Sequence, residues 1–226
     1  TGDFTQGSIA STCSRNVDAG FSIVSYTGNN LVATVGHGLS SAPEMILIKN
    51  RDSATSWNSY NEFIGETKYI NLNTTAAAAT GAIFNDTAAT STVFHLNTGG
   101  YSQNESGSAL IAYCFHSVAG YSKFGTYEGN GGSNAITTGF EPAFLVIKRS
   151  TGGTGGWMMY DNVRGVSKQL QANTSPGEDT VAGKISFQST GFTCLIDHTE
   201  TNSSGDNYIY AAFADKREYA YWLDQS

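Results

Sequence analysis

APEMILIKN at residues 42–50 and EPAFLVIKR at residues 141–149 are one segment written twice. Each has a proline, then an unbroken apolar run, then a basic residue. A run of this length without alternation fits a strand covered on both faces. Pro43 and Pro142 stand just ahead of the run, where a missing N–H does little harm. We read the two runs as the central strands of two units, with Lys49 and Lys148 carrying charge out to solvent at their ends.

The duplication extends in both directions. GFSIVSYTGNN from Gly20 matches GYSKFGTYEGN from Gly120. Trp57 and Tyr60 match Trp157 and Tyr160, and Gly65, Lys68, Asn73 and Thr74 match Gly165, Lys168, Asn173 and Thr174. SGSALIAYCF over 106–115 matches SGDNYIYAAF over 204–213. The expected organisation is a lead-in strand or linker over 1–19, a first repeat over 20–118, and a second repeat with a C-terminal tail over 119–226.

Short β-branched and aromatic runs separated by Gly, Asn and Ser clusters read as strands. They fall at 21–26, 31–35, 45–49, 57–60, 92–96 and 109–115 in the first copy. In the second they fall at 122–127, 135–138, 144–148, 157–160, 184–188, 192–196 and 208–213. No segment keeps an apolar 3.6-residue period; a two-turn helix over 166–171 and a helical turn near 76–79 are the best helical candidates. The expected fold class is all-β: two tandem, homologous β-sandwich units of jelly-roll type, packed together. The closing REYAYWL, 217–223, alternates and is expected to add an edge strand.

Charged residues make up 14% of the 226, against roughly 25% in ordinary soluble domains. Ser, Thr, Asn and Gly must therefore cover most of the surface. The net charge is −7 and no Lys/Arg cluster stands out, so the counterion-releasing footprint of a nucleic-acid binder is missing. Membrane insertion is not expected either, since no apolar run approaches the length needed to span a bilayer. Cys13, Cys114 and Cys194 form no CxxC pair and read as buried thiols in the core.

Catalytic signatures are weak. There is no GxSxG elbow, and the glycines at 129–132 lead into further strand, which marks a hairpin rather than a phosphate loop. His37, between two glycines, reads as a turn residue. Glu141 and Asp161 are carboxylates of the type used in glycoside hydrolysis, but nothing in the sequence pairs them. Asp197, Glu200 and Asp206 make the one oxygen-rich cluster, a weak alternative for a metal site whose spacing does not match an EF-hand. No cofactor is expected. Trp57 and Trp157 read as core anchors, with a sugar-stacking platform as the competing role.

Taken together, GSIASTCSRNVDAGFSIVSYTGN, TVGHGLSSAPEMILIKNRDS, AGYSKFGTYEGNG, TGFEPAFLVIKR and YIYAAFAD resemble a repeat module of marine tailed-bacteriophage virion structural proteins, commonly of tail-fibre type. The likeness covers nearly the whole chain, about residues 7–215. The glycine-rich STGGTGG loop and the tail EYAYWLDQS depart from the usual pattern. The resemblance implies a non-enzymatic virion protein, located in a tail appendage or on the capsid surface. Its expected partners are other virion proteins, copies of itself (a trimer being one arrangement) and host-surface glycan. A capsid decoration or head-fibre protein is the alternative, and a carbohydrate depolymerase a further one. Receptor contact is expected at loop residues Asn29, Asn30, Asn130, Ser133, Thr154, Asn202 and Asp206.

Overall fold

The computed structural model describes residues 2–4, 6–98, 101–180 and 183–216. The chain divides into two compact units, Thr1–His116 and Ser117–Ser226. Both are all-β, and every pair of named strands is antiparallel.

Unit 1 contains β1 (Gly2–Phe4), β2 (Ser11–Asn16), β3 (Phe21–Thr27), β4 (Ala33–Gly36), β5 (Met45–Asn50), β6 (Asn58–Asn61), β7 (Lys68–Asn71), β8 (Ala79–Thr80), β9 (Val93–Leu96) and β10 (Ala109–Phe115). One sheet runs β1-β2-β3-β10-β5-β6-β7-β8, and β4 pairs with β9 in a second sheet. Side chains alternate along the long strands, as a pleated strand requires. Ser22, Val24 and Tyr26 of β3 and Leu110, Ala112 and Cys114 of β10 are buried, while their neighbours are more exposed. These inward residues meet Val35, Phe94 and Leu96 from the small sheet, and Ile83 and Phe84 from a 3-10 turn, in one core.

Unit 2 contains β11 (Ser122–Glu128), β12 (Asn134–Thr137), β13 (Phe144–Arg149), β14 (Trp157–Asp161), β15 (Lys168–Gln171), β16 (Asp179–Thr180), β17 (Ile185–Gln188), β18 (Gly191–Cys194) and β19 (Asn207–Phe213). Its main sheet runs β11-β19-β13-β14-β15-β16 and its small sheet β12-β18-β17. The order β3-β10-β5-β6-β7-β8 of unit 1 is thus repeated strand for strand. The core again lies between the two sheets, with Leu145, Ile147, Met158, Tyr208 and Tyr210 facing Ile136, Ile185, Phe192 and Cys194. The tyrosine face of β19 is therefore the core face. The apolar runs β5 and β13 are interior strands of their sheets, each flanked on both sides.

The lead-in contains strand β2, which pairs along β3 from Ser11↔Tyr26 to Asn16↔Phe21, and the chain divides after His116. Three sequence expectations change. The helix expected over 166–171 is strand β15, because the ladder offered by β14 satisfies backbone groups that a two-turn helix leaves largely unpaired. The turn expected near 76–79 leads into β8, and the 3-10 helix lies further on at Ala82–Phe84. Lys148 carries no charge to solvent. It is 0% exposed, its Nζ donates to Gly155 O at 2.8 Å, and desolvation pulls its pKa down to about 8. Lys49 is half-buried and donates to Asn50 O and Ser53 O. The edge strand expected over 217–223 lies outside the described residues.

Candidate functional site

The loops singled out from sequence collect at one end of each sandwich. In unit 2 this end carries the turns β11–β12, β13–β14 and β18–β19. An asparagine holds it together. Asn202 is fully buried, and its Oδ1 accepts from Asn130 N–H at 3.1 Å and from Asn134 Nδ2 at 3.1 Å. Its Nδ2 donates to Gly132 O at 2.6 Å and to Ile196 O at 3.1 Å. Gly131 N–H donates to Asn202 O at 3.0 Å.

Unit 1 repeats this latch around Asn104, which is 1% exposed, except for the bond from Asn134, whose counterpart is Ala33. Its Oδ1 accepts from Asn29 N–H at 3.0 Å, and its Nδ2 donates to Leu31 O at 2.7 Å and Asn97 O at 3.1 Å. Asn30 N–H donates to Asn104 O at 2.9 Å. The next bond is shared as well: Leu31 N–H to Asn29 Oδ1 at 2.9 Å, and Gly132 N–H to Asn130 Oδ1 at 2.8 Å. A tyrosine closes each set, the buried Tyr26 Oη donating to Gln103 O at 2.7 Å and the half-buried Tyr127 Oη to Thr201 O at 2.5 Å.

A close approach of backbones makes the latch possible. A Cβ on Gly28 would lie 2.2 Å from Glu105 O, and one on Gly129 would lie 2.2 Å from Ser203 O. Only glycine admits the neighbouring loop at that distance.

A second tie belongs to unit 2. Arg149 forms an ion pair with Asp206, and its guanidinium also donates to Gly152 O at 2.8 Å and Thr154 O at 3.3 Å. This joins the glycine-rich β13–β14 loop to the β18–β19 loop. Beneath it, Glu200 Oε1 accepts from Gly156 N–H at 3.4 Å.

The expected contact residues therefore fall into two groups. Asn30, Asn130, Ser133 and Thr154 are exposed at loop tips, and Asn29 is half-buried beside them. Asn202 and Asp206 hold the frame: the first is buried, and the second is engaged by Arg149. The alternative metal cluster does not assemble. Asp197, Glu200 and Asp206 turn to different partners, and no group of three or more potential ligands gathers among the described residues. The structural role of Asn104 and Asn202 was missed, although Asn-x-Ser-Gly survives in both copies within otherwise divergent loops.

The tryptophans differ in burial. Trp157 is 2% exposed, whereas Trp57 is half-buried and stacks on Tyr113 with centroids 6.2 Å apart. Their backbones are held alike, Trp57 N–H by Asn73 Oδ1 and Trp157 N–H by Asn173 Oδ1.

His37 is a buried turn residue. Its Nε2 lies 3.0 Å from Thr90 O and its Nδ1 accepts from Leu39 N–H at 3.1 Å, which fixes the neutral ring. Desolvation lowers its pKa from 6.5. A histidine depressed in the fold adds stability above its unfolded pKa and loses it as pH falls through the folded value. Unit 1 is therefore expected to lose stability below about pH 6.5. His37→Asn, which keeps an acceptor for Leu39 N–H, should flatten that acid limb; equal limbs in thermal melts across pH would contradict the assignment.

The family model for a domain of unknown function, DUF7483, matches residues 1–217. The chain belongs to this family. No curated protein and no solved structure matches it. The DUF7483 match takes in both units and both latches.

Proposed function

We propose that this chain is a non-enzymatic structural module of a tailed-phage virion, borne on a tail-fibre-type appendage whose loop ends contact host-surface glycan. The observation that carries this reading is the latch built twice. It immobilises polar Asn-, Gly- and Ser-rich loops on the end of a β-sandwich, and pre-ordered loops lose little entropy on binding. Loops positioned by a rigid scaffold are where recognition concentrates. A weakly charged surface repeated within a chain, and again across copies of it, suits weak contacts strengthened by avidity. The resemblance of both halves to phage appendage modules points the same way.

Immunogold labelling of intact particles with antibody to this chain tests the placement. Label on the tail appendage, together with blocked adsorption by the purified chain, is the expected result. Label on the head would replace the appendage with capsid decoration. New reducing ends from host polysaccharide incubated with the chain would overturn the non-enzymatic reading.

A further inference from the structure

The two units part company at one strand position. Tyr69 of β7 and Gln169 of β15 occupy equivalent places, as their neighbours Ile70 and Leu170 pair with Ser59 and Met159. In unit 1 the Tyr69 ring packs on the core, so close to Gly81 that a Cβ there would lie 2.9 Å from Cε1. In unit 2 that wall is an amide. Gln169 is 4% exposed. Its Oε1 accepts from Tyr160 Oη at 3.2 Å and Lys184 Nζ at 3.3 Å, and its Nε2 lies 3.5 Å from Asp179 Oδ2. Fixed at three points, the amide cannot rotate to suit a passing solvent molecule.

Beside it lies a cleft of about 280 Å³, lined by Gln169, Leu170, Gln171, Pro176, Glu178 and Asp179 among others. The following loop is tied to the loop end of the unit, with Ala172 N–H on Trp157 O at 3.0 Å and Trp157 N–H on Asn173 Oδ1 at 2.7 Å. The cleft thus opens beside the glycine-rich β13–β14 loop. Its volume falls just below the roughly 300–1,000 Å³ of drug-sized sites, which suits one small ring rather than an extended chain.

The lining chemistry narrows the ligand. With the Gln169 amide engaged by its own partners, the Gln171 carboxamide offers a donor and an acceptor, and the Glu178 and Asp179 carboxylates offer acceptors. Vicinal hydroxyls, each both donor and acceptor, match that set. Leu170 and Pro176 supply apolar surface for the C–H face of a ring. Arg164 at 3.3 Å and Lys168 at 3.5 Å offset the charge of Glu178, but the lining itself holds two carboxylates and no Lys or Arg, so an anionic ring would find no cation to pair with there. We propose that this cleft binds a single neutral pyranose ring. This deepens the attachment reading, on which the identification of the sugar's source as host-surface glycan rests.

The experiment is amide chemical-shift mapping of the full chain with glucose, galactose, mannose and glucuronate. At least one neutral hexose should shift signals within 170–179, while glucuronate leaves them unmoved. Thr174→Arg, at the exposed rim, should weaken the hexose at least about tenfold without changing Tm. Gln171→Ala, inside the cleft, should do the same. The proposal fails if no hexose moves these signals, if the shifts map elsewhere, or if glucuronate binds as well. Particle labelling separates the two readings. Hexose binding with label on the head leaves the cleft and removes the appendage; label on the appendage with a silent cleft does the reverse.

Discussion

Asn202→Ala lowers the stability of unit 2 by about 3–4 kcal/mol, because it strands the Asn130 N–H and the Gly132 and Ile196 carbonyls. Each hydrogen bond lost costs about 0.5–1.5 kcal/mol net, and the fully buried Asn202 makes those to Asn130, Asn134, Gly132 and Ile196. For a unit of this size such a loss lowers Tm by roughly 15 °C or more. Asn202→Asp is expected to be harmful as well, since a carboxylate accepts but cannot donate to the two carbonyls. Asn104→Ala should produce the matching loss in unit 1 through Asn29, Leu31 and Asn97. Ser204→Ala, at an exposed position of the same loop, should stay within about 0.5 kcal/mol. Calorimetry of the four variants checks the set. A loss under about 1 kcal/mol for Asn202→Ala would mean that the loop is not held by this side chain.

Trp157→Ala should cost about 3–5 kcal/mol, the usual range for removing a buried large aromatic. Trp57→Ala should cost roughly half as much. Trp57 keeps part of its surface in water and contributes chiefly through its stack on Tyr113, a contact worth about 0.5–1.5 kcal/mol. The two positions are identical in sequence and in their backbone hydrogen bond to Asn73 or Asn173, so burial alone sets the difference. Denaturant unfolding of the two variants measures it. Equal losses would show that the surroundings of Trp57 close over it in solution.

The strands that alternate were readable because the pleat imposes their period. FSIVSYT and ALIAYCF place every second residue in the core, and the Gly/Asn turns between strands need φ values those residues tolerate. The strands β7, β8, β15 and β16 were not readable. KYIN, AT, KQLQ and DT are too short and too polar to show a period, and only the neighbouring β6 and β14 make them strands. Lys148 looked like a solvent lysine because it sits beside Arg149 at a strand end. Its burial depends on the loop over residues 150–156 folding back so that Gly155 O accepts a hydrogen bond from its Nζ. Among the site residues, the exposed tips Asn30, Asn130, Ser133 and Thr154 followed from turn chemistry. Asn202 and Asp206 share that composition, yet their partners Gly132 and Arg149 come from other segments. Sequence spacing carries no record of such distant pairings. The cleft at Gln169 became visible only when the two copies were set side by side, since one glutamine among polar neighbours is unremarkable alone.

The glycine pair Gly28 and Gly129, with the amides they admit, separates what must stay from what is free to change. Any side chain at either glycine would collide with a carbonyl 2.2 Å away, whereas the exposed tips at Ser133 and Thr154 meet no such barrier. Diversification therefore has a natural address in this architecture: new specificities can be grafted onto the tips while the frame beneath them is inherited intact.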